Sequence, residues 1–408
     1  MRIVYLNPNG TLGGAEHSLL DLLAALRVTQ PAWSLSLIAG GDGPLLSRAE
    51  ALGVSTKLVA FPRSFGQLGD AGFGAKTGAS MERTAFFANF LSAGLGIPAY
   101  LRRLRDAVRE FRPNLLHSNG FKMHLLSRYA PKPTVPVVWH IHDYVGSRPV
   151  TAPLLRLCSS RCATAVTNSS SVAQDVRSVC TQNLNIESVY NGIDTETFTP
   201  NGRAIDLDDI AGLPPLDKRV LRIGLLGTFA RWKGHETFLR ALAMLDPATS
   251  FRGYVVGGPI YQTNGSQYTL MELKSLTQTL GLANRVGFTG FIDEPAAAIR
   301  SLDIVVHAST EPEPFGLVIV EAMACGKAVI VSDCGGASEI VHDQVNALTH
   351  KPGDAAGLAA VIQQLSEDAG LRARLGEAAR RTAEQRFTRT RFASEFVRIY
   401  RRLVGTQS

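Results

Sequence analysis

The stretch "DIVVHASTEPEPFGLVIVEAMACGKAVIVSD", from Asp303 to Asp333, is the one whose reading decides the fold. "DIVVHAS" (303–309) and "KAVIVSD" (327–333) are short apolar, β-branched runs, and "LVIVEAMACG" (317–326) between them is an apolar helical pattern. Such runs read as buried strands, and two strands joined through a helix form a parallel β-α-β unit. Two residues set where the helix begins. Pro314 disfavours α-geometry at Glu313, and Gly316 loosens the next step. The helix is therefore predicted to start near Phe315–Leu317, with Glu313 in the loop before it and Glu321 about one turn inside.

The alternation extends on both sides. "LRIGLLG" (221–227), "FRGYVVGG" (251–258) and "RVGFTG" (285–290) are predicted strands, with helices over 235–245, 268–281 and 355–368. The first half repeats the theme with "RIVYL" (2–6), "LSLIA" (35–39), "LLH" (115–117), "PVVWHIH" (136–142) and "CATAVTN" (162–168), and with helices over 15–26 and 98–111. Strand and helix alternating twice over predict an α/β protein of two units with parallel sheets. A length of 408 residues suits two domains. Turn-rich "VYNGIDTETFTPNGR" (189–203) marks the joint, giving expected domains over 1–197 and 198–386. The last helical pattern, 387–404, is expected to cross back to the first domain.

Composition narrows the function. The formal charge is +7, of which +6 lies in residues 1–200 and +1 in 201–408. That asymmetry suggests an anionic partner for the first half, and a solvated basic face explains it equally. The glycine-rich stretch over 62–97 breaks the alternation and then turns apolar, with Phe86, Phe87, Phe90, Leu91 and Leu95 near helical spacing. Arg102, Arg103, Arg105 and Arg109 follow, so an anionic membrane surface is one reading and core packing the other. Nucleic-acid binding lacks an interleaved aromatic platform. Five cysteines without a CxxC pair read as reduced thiols rather than a metal site, with Cys158 and Cys162 expected four apart on one helix. No signal peptide or bilayer-spanning run is evident, so a cytoplasmic protein is expected, peripheral on a membrane at most.

The glutamates of the opening stretch are the sharpest chemical signal. On one helix they would stand roughly 12 Å apart along the axis, beyond the roughly 5–9.5 Å of paired glycosidase carboxylates. With the helix starting between them, they become a loop acceptor and a helix acceptor beside free backbone N–H groups that suit an anion. Sugar, diphosphate and ribose in a row would fit that arrangement; surface charge and helix capping are the alternative. "GTFARWKG" (227–234) adds Arg231 and Lys233 at the carboxyl end of another strand, where open α/β sheets bind ligands. In the first half, "NPNGTLGGAEHSLL" places Gly13 and Gly14 in a turn between strand and helix. No GxGxxG and no acid at the end of the second strand argue against a nicotinamide cofactor.

Together, "GG" (13–14), "NGID" (191–194), "GTFARWKG", "VGG" (256–258), "FTG" (288–290), "EPFGLVIVEAMACGKAVI" and "GGASEIV" resemble the retaining glycosyltransferases of family 4, glycosyl transferases group 1. The resemblance covers nearly the whole chain. It implies the GT-B fold, two Rossmann-like domains facing across a cleft. It implies transfer of a hexose or acylamino-hexose from a nucleotide diphosphate sugar to a hydroxyl acceptor, one carried on a lipid or polymer included, in cell-surface polysaccharide or glycolipid synthesis. No cofactor and no catalytic metal are expected. By the resemblance Glu313 contacts donor-sugar hydroxyls and Glu321 the ribose. Phe315, Gly316, Leu317, Gly290, Gly13 and Gly14 approach the donor through backbone, and Lys233 and Arg231 hold the diphosphate. His142 stands near the anomeric centre, and His117, Ser118, Asn119 and Lys122, at another strand end, are expected on the acceptor side. One departure matters: the family's arginine, five positions before the lysine, is Thr228 here, with Arg231 the nearest replacement. A catalytically silent nucleotide-sugar-binding or assembly subunit is the rival reading.

Overall fold

A computed structural model describes residues 1–62, 81–180, 183–215, 220–259 and 265–405, with the side chains of 81–95 left aside. The expected apolar run over 86–95 and the glycine-rich part of 62–97 thus lie largely outside the described residues.

The chain forms two compact units, Met1–Gly192 with Arg389–Ser408, and Ile193–Thr388. In the first unit the strands are β1 (Arg2–Asn7), β2 (Ser34–Ala39), β3 (Ser55–Leu58), β4 (Leu115–Asn119), β5 (Val137–Ile141), β6 (Thr164–Thr167) and β7 (Ile186–Ser188). They make one parallel sheet in the order 3-2-1-4-5-6-7. In the second unit β8 (Leu221–Leu226), β9 (Phe251–Val256), β10 (Val286–Gly290), β11 (Ile304–His307), β12 (Ala328–Ser332) and β13 (Leu348–His350) make another, in the order 10-9-8-11-12-13. Both are Rossmann-like, the paired α/β architecture of the GT-B fold.

Apolar residues dictate this arrangement. Strands β4, β5, β6, β9, β11 and β12 are buried along their whole length, as parallel strands covered on both faces must be. The helix over Arg389–Gly405 buries Phe392, Phe396, Ile399 and Tyr400, one stripe at helical spacing. That stripe packs with Ile3, Tyr5, Leu19 and Leu22 of the first unit. The expected helix over 98–111 belongs to a longer one, Met81–Phe111, with Pro98 inside it. The cysteine expectation is corrected: the helix over Thr151–Cys158 ends at Cys158, so Cys162 does not share it. All five cysteines are free thiols.

In each sheet the strand order reverses between two neighbours, β1 and β4 in the first unit and β8 and β11 in the second. Loops leaving the carboxyl ends of such neighbours diverge and open a crevice, which is where open α/β sheets bind ligands.

Candidate functional site

The switch point of the second unit gathers the strongest candidates. The loop after β8 closes in a 3-10 turn, Arg231–Lys233, and the loop after β11 carries Glu313. The two loops are joined directly: Thr310 N–H donates to the Trp232 carbonyl at 2.7 Å. Gly234 lies at the joint with φ +75°, and a Cβ there would stand 1.8 Å from the Ala308 carbonyl oxygen. Only glycine satisfies both the left-handed backbone and the close approach. A third loop, after β12, closes the set, with Gly336 N–H donating to the Glu313 carbonyl at 2.7 Å.

Lys233 and Glu313, eighty residues apart in sequence, form an ion pair with Nζ–Oε2 2.6 Å. Glu313 is buried, 7 % exposed. Its Oε2 also accepts from Ser309 Oγ at 3.1 Å and from His307 Nε2 at 3.3 Å. Burial is the largest single influence on this carboxyl and raises its pKa. The Lys233 ammonium and the His307 hydrogen bond together outweigh burial and hold it at about 2. Glu313 is therefore ionised at neutral pH and acceptor-only, suited to hydroxyl donors. Lys233 keeps two further N–H donors for an anion, and its ammonium lies 4.1 Å from the Trp232 ring centroid.

The helix after Glu313 runs Leu317–Ala324, starting inside the predicted window, with Gly316 at its N-cap, φ +99° and no side-chain cap. Phe315 is a core side chain, stacked edge-on against Phe387 at 6.0 Å, so only its backbone faces the question of ligand binding. Glu321 is partly buried on the second turn. Gly290 ends β10 at φ +70°, its carbonyl accepting from Gly257 N–H at 2.9 Å.

Arg231 is placed elsewhere. Its guanidinium donates to Glu272 at 2.7 Å and to the Gly265 carbonyl at 2.9 Å, and sits 4.3 Å over the Tyr268 ring. The structure brings Lys233 to Glu313 and does not bring Arg231 to either.

In the first unit, Gly13 caps the helix over Gly14–Thr29, and its N–H is already taken by Glu16 Oε2 at 3.1 Å. Glu16 also accepts from Asn7 at 3.0 Å, which locks the turn. Asn119 ends β4, beside β1 at the switch point, and is fully buried. Its Oδ1 lies 3.3 Å from His142 Nε2. His142 follows β5, partly exposed, and desolvation lowers it to about 3, so it is neutral at physiological pH. Lys122 is partly exposed, its Nζ 5.8 Å from the Phe61 ring centroid. His117 and Ser118, expected to touch acceptor, are fully buried: His117 bonds Tyr400, and Ser118 bonds His124 at 2.8 Å.

Sequence reasoning missed His307 and Ser309. Both lie in the opening stretch, two residues apart at a strand end, and hence on one side of the chain. That spacing was the available signal, masked because His307 reads as a strand residue inside an apolar run.

Comparison with known proteins places the chain. The family model described as Glycosyl transferases group 1 matches residues 214–382, and that described as Glycosyltransferase Family 4 matches 12–197. N-acetyl-alpha-D-glucosaminyl L-malate synthase of Bacillus anthracis is 25 % identical over 74 % of this chain and 78 % of its own. The lipopolysaccharide core biosynthesis glycosyltransferase LpsE of Rhizobium meliloti is 30 % identical over 50 % of this chain, which spans about half of that relative, 55 %. Among solved structures, Anabaena Alr3699/HepE in complex with UDP-glucose superposes with TM-score 0.76 over 98 % of this chain and 99 % of its own, at 24 % identity. The two matched segments lie one in each half of the chain and together span most of it; the protein belongs to the group 1, family 4 glycosyltransferases.

Proposed function

We propose that the protein transfers a hexose or acylamino-hexose, with retention, from a uridine diphosphate sugar to a hydroxyl acceptor in cell-surface polysaccharide or glycolipid synthesis. The observation that carries this is the Lys233–Glu313 pair, its carboxylate buried and its ammonium partly exposed, beside the uncapped start of the helix over Leu317–Ala324, at the switch point of the second unit. A UDP-glucose complex of a protein with the same fold supports the donor class, and the lipopolysaccharide relative supports the acceptor class.

The residues divide the work by charge. Ionised Glu313 accepts sugar hydroxyls, and Glu321 accepts those of the ribose. Lys233 and the amides at Gly316 and Leu317 face the diphosphate, stabilising the charge that grows as it departs. The C1–O bond to phosphate breaks while the C1–O bond to the acceptor forms on the same sugar face. The acceptor proton passes to the departing phosphate oxygen, so neither glutamate needs to be an acid or a base. The products are the glycoside and UDP. His142 of the first unit, neutral, serves as a hydroxyl acceptor. No metal takes part.

A second reading, a silent nucleotide-sugar binder, is favoured by one observation: the guanidinium nearest the displaced family arginine is committed to Glu272. Incubation with UDP-sugars and simple glycoside acceptors separates the two. Free UDP and an equatorial anomeric proton signal in the product of an α-linked donor are expected. Tight UDP binding with no UDP release across all pairs would leave only the silent binder.

A further inference from the structure

The first unit contains a chain of buried polar contacts that ends at His142. Tyr400, on the helix over Arg389–Gly405, is fully buried, its hydroxyl 2.6 Å from His117 Nδ1. His117 Nε2 lies 3.3 Å from Asn119 Oδ1, and the same oxygen lies 3.3 Å from His142 Nε2. Tyr5 stands behind Tyr400, hydroxyl to hydroxyl 3.5 Å. These contacts can run in two directions only. In one, Tyr400 donates to His117 Nδ1, and both imidazoles donate Nε2–H to the Asn119 oxygen. In the other, every proton and the Asn119 amide are reversed, and His142 carries its proton on Nδ1.

The chemistry selects the first direction. A phenol is a better hydrogen-bond donor than acceptor, and an imidazole lone pair is a strong acceptor, so a 2.6 Å contact between them is an O–H donating to N. Burial raises the Tyr400 pKa far above the ordinary phenol value, so the proton to be donated is always present. Burial also lowers His117 to about 3, leaving it neutral with one N–H and one lone pair. Asn168 fixes the other side of His142 by donating to its backbone carbonyl at 3.1 Å. His140, ring centroid 3.9 Å from His142, has both nitrogens buried without a partner among the described residues and offers no competing bond.

We propose that Tyr400 is a positioning residue: through His117 and Asn119 it holds His142 in the tautomer with Nε2 protonated, leaving Nδ1 as the acceptor the ring offers to a ligand hydroxyl. The role of Nδ1 rests on the transferase reading; the tautomer does not. The C-terminal helix thereby sets the hydrogen-bond polarity of a candidate site residue that lies more than two hundred residues earlier in the chain.

Long-range 15N–1H spectra of the histidine rings test it at neutral pH, with His142→Gln assigning the signal. Native protein is expected to show Nε2–H at both His117 and His142. Tyr400→Phe, which keeps the ring and removes the donor, should convert His117 and His142 together to mixed tautomers. Asn119→Ala should release His142 while His117 keeps Nε2–H, and this variant decides the matter if Tyr400→Phe does not fold. UDP release by Tyr400→Phe should fall roughly three- to tenfold in kcat, the range one neutral hydrogen bond carries, with donor KM unchanged. An Nδ1–H tautomer in the native protein, or a His142 tautomer indifferent to both substitutions, overturns the relay whether or not the protein is a transferase. A mixed tautomer in Tyr400→Phe with native kcat overturns the functional half alone.

Discussion

Replacing Lys233 with alanine strips the partner from a carboxylate that the fold has already buried. Glu313 sits at about 2 against its ordinary 4.5, so the environment favours the ionised form by about 3 kcal/mol at neutral pH. Losing one partner of a buried pair costs about 3–5 kcal/mol by a separate route, which agrees. Because the folded pKa is depressed, this stabilisation is complete above pH 4.5 and is lost as pH falls towards 2. In Lys233→Ala, burial, the largest influence on the carboxyl, is opposed mainly by His307, so Glu313 protonates at higher pH. The stability gap between native protein and variant is therefore widest near pH 7 and narrows in acid. For a unit of about 200 residues it corresponds to a fall in Tm of roughly 6–12 °C at pH 7. Urea unfolding at steps from pH 7 to pH 3.5, with hydrogen exchange in β11 and β12 to isolate the second unit, measures it. A gap of the same size at every pH would falsify the electrostatic account of the pair.

Other outcomes follow from the same geometry. Glu321→Ala should weaken UDP-sugar binding by about 1.5–3 kcal/mol, the range for a hydrogen bond to a charged group, and leave a sugar 1-phosphate, which lacks ribose, unaffected; calorimetry compares them. Transfer should survive EDTA, and complete loss restored by Mg2+ or Mn2+ would show that Lys233 and the helix start do not neutralise the diphosphate. Arg102 and Arg109 are exposed on the helix over Met81–Phe111. If that face meets anionic lipid, reversing both to glutamate should weaken vesicle binding more than tenfold, at about 1 kcal/mol for each charge, and pelleting equal to the native protein would return them to a solvated surface.

Much of the architecture was legible because parallel strands advertise themselves. "VVWHI" and "AVIVS" are buried on both faces, and each is an interior strand with a neighbour on either side. The edge strands β3, β7 and β13 were not predicted, because three or four residues with one open side carry too little apolar pattern. The helix start at Leu317 was readable from Pro314 and Gly316, since both act through local backbone sterics. The pairing of Lys233 with Glu313 was not, because it depends on which strands flank the reversal of sheet order. Arg231 shows the opposite limit. Its position in the sequence suited an anion site, yet Glu272 and Tyr268, on a different loop and helix, claim its guanidinium. His117 at a strand end read as an accessible polar residue, and the aromatic stripe of the C-terminal helix buries it.

The central claim is that Lys233 and Glu313 form a nucleotide-sugar site, and calorimetric titration of UDP-glucose into native protein, Lys233→Ala and Glu313→Gln tests it most directly. The account predicts saturable one-site binding to the native protein, loss of at least tenfold in affinity for UDP itself on removing Lys233, and a loss for UDP-glucose but not UDP on neutralising Glu313. Equal affinities across the three proteins for both ligands would contradict it.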